Sequence, residues 1–317
     1  MANSSLLYKY KNGNCEVSLY DDGTKIREFP DNEPPFVDYP ESMDVKVTNR
    51  CNGVPDKNGN WSPCPFCHEM SLPTGDEGEI KQYKYLFSQL NPGTEIAIGG
   101  GCPITWKYID EFLEFLDSIH LIGNMTNNAA HIKEYYDKCT DWLDRKMVMA
   151  MGISYTNRDD LNLIKDLSEK YPNRIVTHLI VGVHTIEDYK LICNSIKDPK
   201  ILLLGYKTFG RGQFYYKRSN IPNRLLEWRG FNNLYKVISD NNGVLSFDNL
   251  AIDQLNIKSF LTEEQWNEFY MGNDGQFSMY MDLVKGEFAK SSTSEKRYKI
   301  MDYDDMKEIF RTIKEEK

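Results

Sequence analysis

The stretch DVKVTNRCNGVPDKNGNWSPCPFCH, residues 44–68, decides how the chain is read. Asp44-Val45-Lys46-Val47-Thr48 alternates polar with β-branched residues, the pattern of a strand. Three cysteines follow within seventeen residues: Cys51, Cys64 and Cys67. The other four, Cys15, Cys102, Cys139 and Cys193, are scattered. Seven is an odd number, and Met1-Ala2-Asn3-Ser4-Ser5 shows no basic segment ahead of an apolar one. The expectation is a cytoplasmic chain whose clustered thiols serve a metal or a reaction, not a disulfide framework.

Outward from this loop, strand-like runs alternate with helical ones. A helix is expected over 79–90, with Ile80, Tyr83, Leu86 and Leu90 on one face and Asn91-Pro92-Gly93 as its stop. Strands are expected near 95–98, 121–125, 147–154, 174–181, 201–204 and 244–247. Helices are expected between them, near 106–117, 129–138, 158–170 and 223–239. Thr185-x-x-Asp188 resembles a capping box opening another. Near-continuously apolar strands alternating with helices imply a parallel sheet covered by helices. The fold expected is α/β, a partial or closed parallel β/α barrel of TIM type. In such barrels the chemistry sits at the C-terminal ends of the strands.

The flanks differ. Residues 6–29 read as an N-terminal hairpin turning at Asn12-Gly13-Asn14, followed by a connector with Pro30, Pro34, Pro35 and Pro40. After residue 255, Thr262-x-x-Gln265 caps a short helix with Trp266. A hairpin follows around Asp282-Leu283-Val284-Lys285-Gly286, then an amphipathic helix with Met306, Ile309, Phe310 and Ile313. The expected organisation is 1–43 hairpin and connector, 44–255 barrel core, and 256–317 a small α+β extension.

Composition excludes other classes. The 317 residues carry 38 Lys and Arg against 47 Asp and Glu, a net charge of −9. That argues against extended nucleic-acid binding or an anionic membrane surface. No apolar run is long enough to span a membrane. Hydrophobic residues are 40% of the chain, enough for a large core.

The cysteine loop admits four chemistries. Cys64-Pro65-Phe66-Cys67-His68 matches the haem-attachment pattern, but that attachment belongs to exported proteins. Cys64 and Cys67 alone would make a thioredoxin-like dithiol, leaving Cys51 unexplained. A zinc site from Cys51, Cys64, Cys67 and His68 would make this a zinc-stabilised binding protein. Adjacent Cys67 and His68 point apart on most backbones, which makes that site awkward. The fourth reading is a four-iron cluster held by three thiolates, with one iron left for a small molecule.

At this point the sequence resembles the radical S-adenosylmethionine (radical SAM) superfamily. The usual spacing there is Cys-x3-Cys-x2-Cys after the first barrel strand, with an aromatic before the last cysteine. Here the aromatic is Phe66 and the second gap matches, while the first gap is twelve residues. The insert holds Asp56-Lys57-Asn58-Gly59-Asn60, a turn composition that can loop out without parting Cys51 from Cys64. The resemblance implies a 4Fe–4S cluster on Cys51, Cys64 and Cys67 and S-adenosylmethionine (SAM) as cofactor. It further implies an oxidoreductase-like radical enzyme that cleaves SAM to a 5′-deoxyadenosyl radical and takes hydrogen from a substrate. A flavodoxin or ferredoxin would donate the electron.

Further motifs fall in order, one per strand end. Gly99-Gly100-Gly101-Cys102-Pro103 corresponds to the family's Gly-Gly-Glu-Pro type segment, with Cys102 replacing Glu. Its bare backbone would hold the SAM amino group. The resemblance places Ser154 at the ribose or carboxylate, Ile180 against adenine and Tyr206 at the adenine edge. Asn127, Lys207 and Asp248 stand near strand ends as substrate-facing candidates, with capping or solvation as the plainer alternative. His120, His131, His178 and His184 show no metal spacing. The tail resembles the extension of radical SAM peptide-modifying enzymes but has no cysteine after Cys193, so it cannot hold a cysteine-ligated second cluster. A peptide substrate is implied by the tail; a small metabolite or nucleotide is the alternative.

Overall fold

The computed structural model describes residues 4–230 and 243–316. The expected N-terminal hairpin is a three-stranded antiparallel sheet: β1 (Leu6–Asn12), β2 (Cys15–Tyr20) and β3 (Lys25–Glu28). Asn12 pairs with Cys15, so the turn is two residues, Gly13-Asn14, with Gly13 at φ 63°.

The central sheet is built from β4 (Ser42–Thr48), then, past a small β5–β6 hairpin at Val54–Pro55 and Trp61–Ser62, β7 (Glu95–Gly100), β8 (Ile122–Asn128), β9 (Ala150–Ser154), β10 (Ile175–Ile180), β11 (Lys200–Leu204) and β12 (Val244–Phe247). The tail adds β13 (Ser278–Asp282), β14 (Glu287–Ala289) and β15 (Tyr298–Lys299). The ten strands lie in the order β12-β11-β10-β9-β8-β7-β4-β13-β14-β15. From β12 to β4 each neighbour pair is parallel, as expected. The barrel does not close. β4 is bonded to β7 on one side and, in parallel, to β13 on the other, so no edge of β4 is free for β12. The C-terminal extension therefore belongs to the same sheet as the first strand.

Strand order never reverses between β4 and β12, so right-handed crossovers put their helices on one face. These are α1 (Lys84–Phe87), α2 (Ile109–Ser118), α3 (Ala129–Glu134), α4 (Tyr136–Asp144), α5 (Leu161–Lys170), α6 (Ile186–Ser195), α7 (Gly210–Arg218) and α8 (Ile221–Arg229). After β12 come α9 (Asn249–Leu255), α10 (Glu263–Phe269) and α11 (Met306–Lys314). Met43, Val45, Val47, Ile96, Ile98, Met151, Ile153, Leu179 and Leu203 point to the helices and are buried. Alternate residues, among them Ala97, Gly99, Thr126, Ser154, His178 and Ile180, face the other side and stay partly accessible. That inner face is the recess in which a site can sit.

The expected helix over 79–90 is regular only at Lys84–Phe87. Around it the bonds run i to i+3, as from Tyr83 N–H to Ile80 and Leu86 N–H to Tyr83. This tighter winding keeps Ile80, Tyr83, Leu86 and Leu90 buried on one side. The helix near 129–138 breaks at Tyr135, and the 223–239 helix is observed to Arg229, with 231–239 outside the described residues. The capping boxes at Thr185 and Thr262 are present. Among the described residues no helix is long and apolar enough to cross a membrane.

The small N-terminal sheet underlies the N-terminal ends of the large one. Lys25 Nζ lies 2.8 Å from Glu95 and Arg27 Nε lies 2.7 Å from Glu41. One end of the recess is thus occupied by ion pairs, and the opposite end carries the cysteine loop.

Candidate functional site

The loop leaving β4 is ordered by its own insert. β5 and β6 pair as a two-rung hairpin, and the Asp56 carboxylate accepts the Asn58 and Asn60 N–H groups at its turn. The hairpin is fixed to the core twice: Asn128 Nδ2 donates to the Gly53 carbonyl at 3.0 Å, and Trp61 stacks on His131 at 4.9 Å with planes 10° apart. Twelve residues are therefore folded out, and both ends of the gap return to the same place.

The other wall is α7. The Arg211 N–H donates to the Cys67 carbonyl at 3.1 Å. Its guanidinium reaches the Cys64 carbonyl and the Ser71 carbonyl, both at 2.9 Å. Phe66 meets Tyr215 edge-on at 5.7 Å. Cys67 N–H turns back to the Cys64 carbonyl, and the Cys51 sulfur accepts the Gly53 N–H at 3.2 Å. The segment after β7 presses on this loop from below. Gly101 N–H donates to Thr48 and Cys102 N–H to Arg50. A Cβ on Gly100 (φ 112°) would stand 2.4 Å from the Thr48 carbonyl oxygen, and one on Gly101 2.3 Å from that of Arg50. Only glycine permits this approach. Gly99 faces open space.

Cys51, Cys64 and Cys67 are free and partly buried. Burial pushes the Cys64 thiol up to about 12, with Cys51 and Cys67 adding to the shift; burial also raises Cys51. Cys64 and Cys51 are therefore held protonated until a cation replaces their protons. The donor set fits an iron–sulfur cluster, where each thiolate takes its own iron. It does not make the four-ligand zinc site, because His68 looks elsewhere: its Nε2 lies 3.3 Å from Glu69 Oε1 and 3.4 Å from Lys207 Nζ. Among the described residues, no three Cys, His, Asp or Glu side chains converge on one ion position.

No family profile and no curated protein matches the sequence. Solved structures do. Streptococcus suis SuiB bound to precursor peptide SuiA aligns with a TM-score of 0.59 and 14% identity, over 86% of this chain and 64% of that one. SuiB bound to S-adenosylmethionine gives 0.58 and 14%, over 87% and 66%. SuiB alone gives 0.53 and 15%, over 86% and 65%.

The chain shares the fold of SuiB.

It spans about two thirds of the length of SuiB. Within this SuiB-like fold the remaining sequence candidates separate. Ser154 and Ile180 stand at strand ends on the inner face, with Ser154 beside His178 in the β9–β10 register. Cys102 is buried, and burial lifts its thiol to about 11. Tyr206 does not face the recess. Its N–H and C=O are both bonded to the Gln254 side chain at 2.8 Å, and its hydroxyl donates to the Gly212 carbonyl. It braces α7. Asp248 caps α9, accepting from Ala251 and Gly205 N–H. Asn127 is 3% exposed on the helix side of β8. Lys207 does enter the recess, donating to Ser292 Oγ at 2.8 Å.

Sequence reading missed a charged cluster beside the cysteines. Lys46 Nζ lies 2.5 Å from Glu69 and 3.2 Å from Asp282. Burial alone would raise the Glu69 carboxyl, but His68 and Lys46 hold it well below the ordinary range. One signal was available: Lys46 stands mid-strand between Val45 and Val47. Asp44 also lines the recess, accessible yet walled by protein, and burial holds its carboxyl above the usual range. The His178 ring packs against Gly152, where a Cβ would stand 2.5 Å from its Cε1.

His131 supports a pH prediction. It is 2% exposed, its Nε2 has no partner among the described residues, and burial pushes it down to about 4 from 6.5. The folded state keeps it neutral while the unfolded chain protonates below 6.5. Stability is therefore full above pH 6.5 and falls as pH drops toward 4, by up to about 3 kcal/mol. His131→Phe retains the Trp61 stack and should flatten that loss. Urea unfolding at pH 7 and 4.5 checks it; equal acid losses in variant and wild type would rule it out.

Proposed function

We propose that this chain is a radical SAM enzyme acting on a peptide. The observation that carries the reading is the thiol trio at the C-terminal end of β4, gripped by Arg211 and undercut by Gly100-Gly101. Cys51, Cys64 and Cys67 would hold three irons of a 4Fe–4S cluster, leaving the fourth for the SAM amino and carboxylate groups. When bound, this pair supplies reductive cleavage of SAM to methionine and a 5′-deoxyadenosyl radical. The chain itself binds and orients. Ser154 and Ile180 offer a hydroxyl and an apolar contact on the inner face, Gly99 leaves room beside them, and Phe66 with Tyr215 limits water at the loop. Lys46 fixes the segment after Cys67 through Glu69.

Support for a peptide substrate comes from SuiB, which shares the fold and binds precursor peptide SuiA. The test is anaerobic reconstitution with iron and sulfide, then dithionite and SAM. The expected result is about four irons per chain and release of 5′-deoxyadenosine. Full iron loading without 5′-deoxyadenosine, or a single zinc, refutes the reading.

A further inference from the structure

We infer that Lys207 and Arg297 form a carboxylate-binding site in the recess, through which a peptide substrate is selected by an acidic side chain or a free C-terminus; the inference rests on the peptide reading above. The two cations belong to strands on opposite sides of β4 and meet on one residue. Lys207 follows β11, and its Nζ donates to Ser292 Oγ at 2.8 Å. Arg297 precedes β15, and its Nη2 donates to the Ser292 carbonyl at 2.7 Å. Arg297 also lies over the Tyr280 ring, 4.8 Å from its centroid. Tyr280 is paired with Asp44 across the β4–β13 seam, so this ring and the guanidinium covering it are on the recess side of the sheet.

Neither cation is neutralised: among the described residues neither takes part in an ion pair. Lys46, in the same recess, shows the contrast, being buried and served by Glu69 and Asp282. An ammonium offers three N–H donors and a guanidinium five. Ser292 takes one from each, and His68 Nε2, 3.4 Å from Lys207 Nζ, takes at most one more. The remaining N–H groups have no protein acceptor among the described residues. Lys207, Ser292 and Arg297 are all partly accessible, so a ligand can reach them.

The donor chemistry names the ligand. A guanidinium beside an ammonium fits a planar carboxylate, which takes paired N–H bonds from arginine and a point charge from lysine. Asp44, on the same face, opposes a dianion such as a phosphate monoester more than a carboxylate of single charge. The site also adjoins the cysteine loop, because His68, which Lys207 approaches, directly follows Cys67. A residue held there by its carboxylate is delivered beside that loop, so the pair decides which residue of a peptide is presented.

The probes are acetyl-Gly-Glu-Gly-amide against its Gln counterpart, and acetyl-Gly-Gly-Leu as free acid against its amide. Binding to the reconstituted protein is measured by ligand-observed NMR, and SAM affinity is measured alongside. At least one acid should bind about tenfold or more tighter than its neutral partner, and added salt should narrow the gap. Which pair shows the gap separates a side chain from a C-terminus as the source. Lys207→Met and Arg297→Met should each bring the ratio close to one, and Lys207→Arg should keep it. The ratio is read within one protein, so partial unfolding lowers both members alike and does not mimic the effect. Equal binding of acid and neutral forms in the wild type, or none by any probe up to about 10 mM, overturns the inference. So does an unchanged ratio in either Met variant; a loss of SAM affinity in its place would reassign the cation to the cofactor. Failure of the radical reading registers separately, as absent 5′-deoxyadenosine with dithionite in the wild type, whatever the peptide ratios.

Discussion

Cys51→Ala leaves the chain folded and its cysteine loop unable to retain the proposed cluster; that is the expected result, and the largest. Cys51 is partly buried, and its backbone stays bonded to the Leu72 carbonyl whatever the side chain. The Sγ accepts one hydrogen bond, from Gly53, whose loss costs about 1 kcal/mol. Changes around metal ligands typically cost 10- to 100-fold in affinity or activity, so removing a ligand should exceed about 100-fold. Iron content, the visible absorption of the cluster and 5′-deoxyadenosine yield should fall together. Cys193→Ala, outside the trio, should change none of them. This variant tests the twelve-residue gap directly. Full iron and full SAM cleavage in Cys51→Ala would mean that the third thiolate comes from elsewhere. Cys102, whose N–H bonds the Arg50 carbonyl, would be the first to examine.

The second large effect concerns Lys46. Its ammonium is 4% exposed at the side chain and serves Glu69 and Asp282 at once. Burial works against the charge, but the two carboxylates outweigh it and raise the Lys46 pKa above its ordinary 10.5. The stabilisation is therefore whole below the unfolded value and fades only as pH climbs past it, so at pH 7 its full size is felt. Lys46→Met leaves two carboxylates sequestered without their cation. Breaking a buried pair from one side costs about 3–5 kcal/mol. In a chain of this size that lowers the melting temperature by on the order of 10 °C. Lys46→Arg should recover part of the loss, because a guanidinium also reaches two carboxylates. A melting temperature within 2 °C of wild type for Lys46→Met would show that the cluster carries no such weight.

What was legible in the sequence follows from range. Helices α2, α5 and α6 and strands β8 to β11 depend on apolar spacing and caps within a dozen residues. Asn128, Thr185 and Thr262 do cap as their types suggest. The cysteine trio was legible because its residue types are rare and its gap has turn chemistry. Pairing of β4 with β13 was not, since the partners lie more than 230 positions apart and neither shows which neighbour it will take. Lys46, Glu69, Asp282 and Lys207 were illegible as a group for the same reason. A strand-end tyrosine such as Tyr206 reads alike in sequence whether it lines a cleft or braces a helix, and its bonds to Gln254, 48 residues on, could not be read there.

The parallel seam between β4 and β13 also limits how the molecule can be divided. Ending the polypeptide at residue 255 would strip one side of the strand that carries the cysteine loop and deny Lys46 its Asp282. The bared edge would be free to recruit strands from other copies. Deletion of the last sixty residues is thus a poor instrument for asking what the tail does, because it dismantles the strand that carries the cysteine loop along with it. Point changes within the tail are the finer tool.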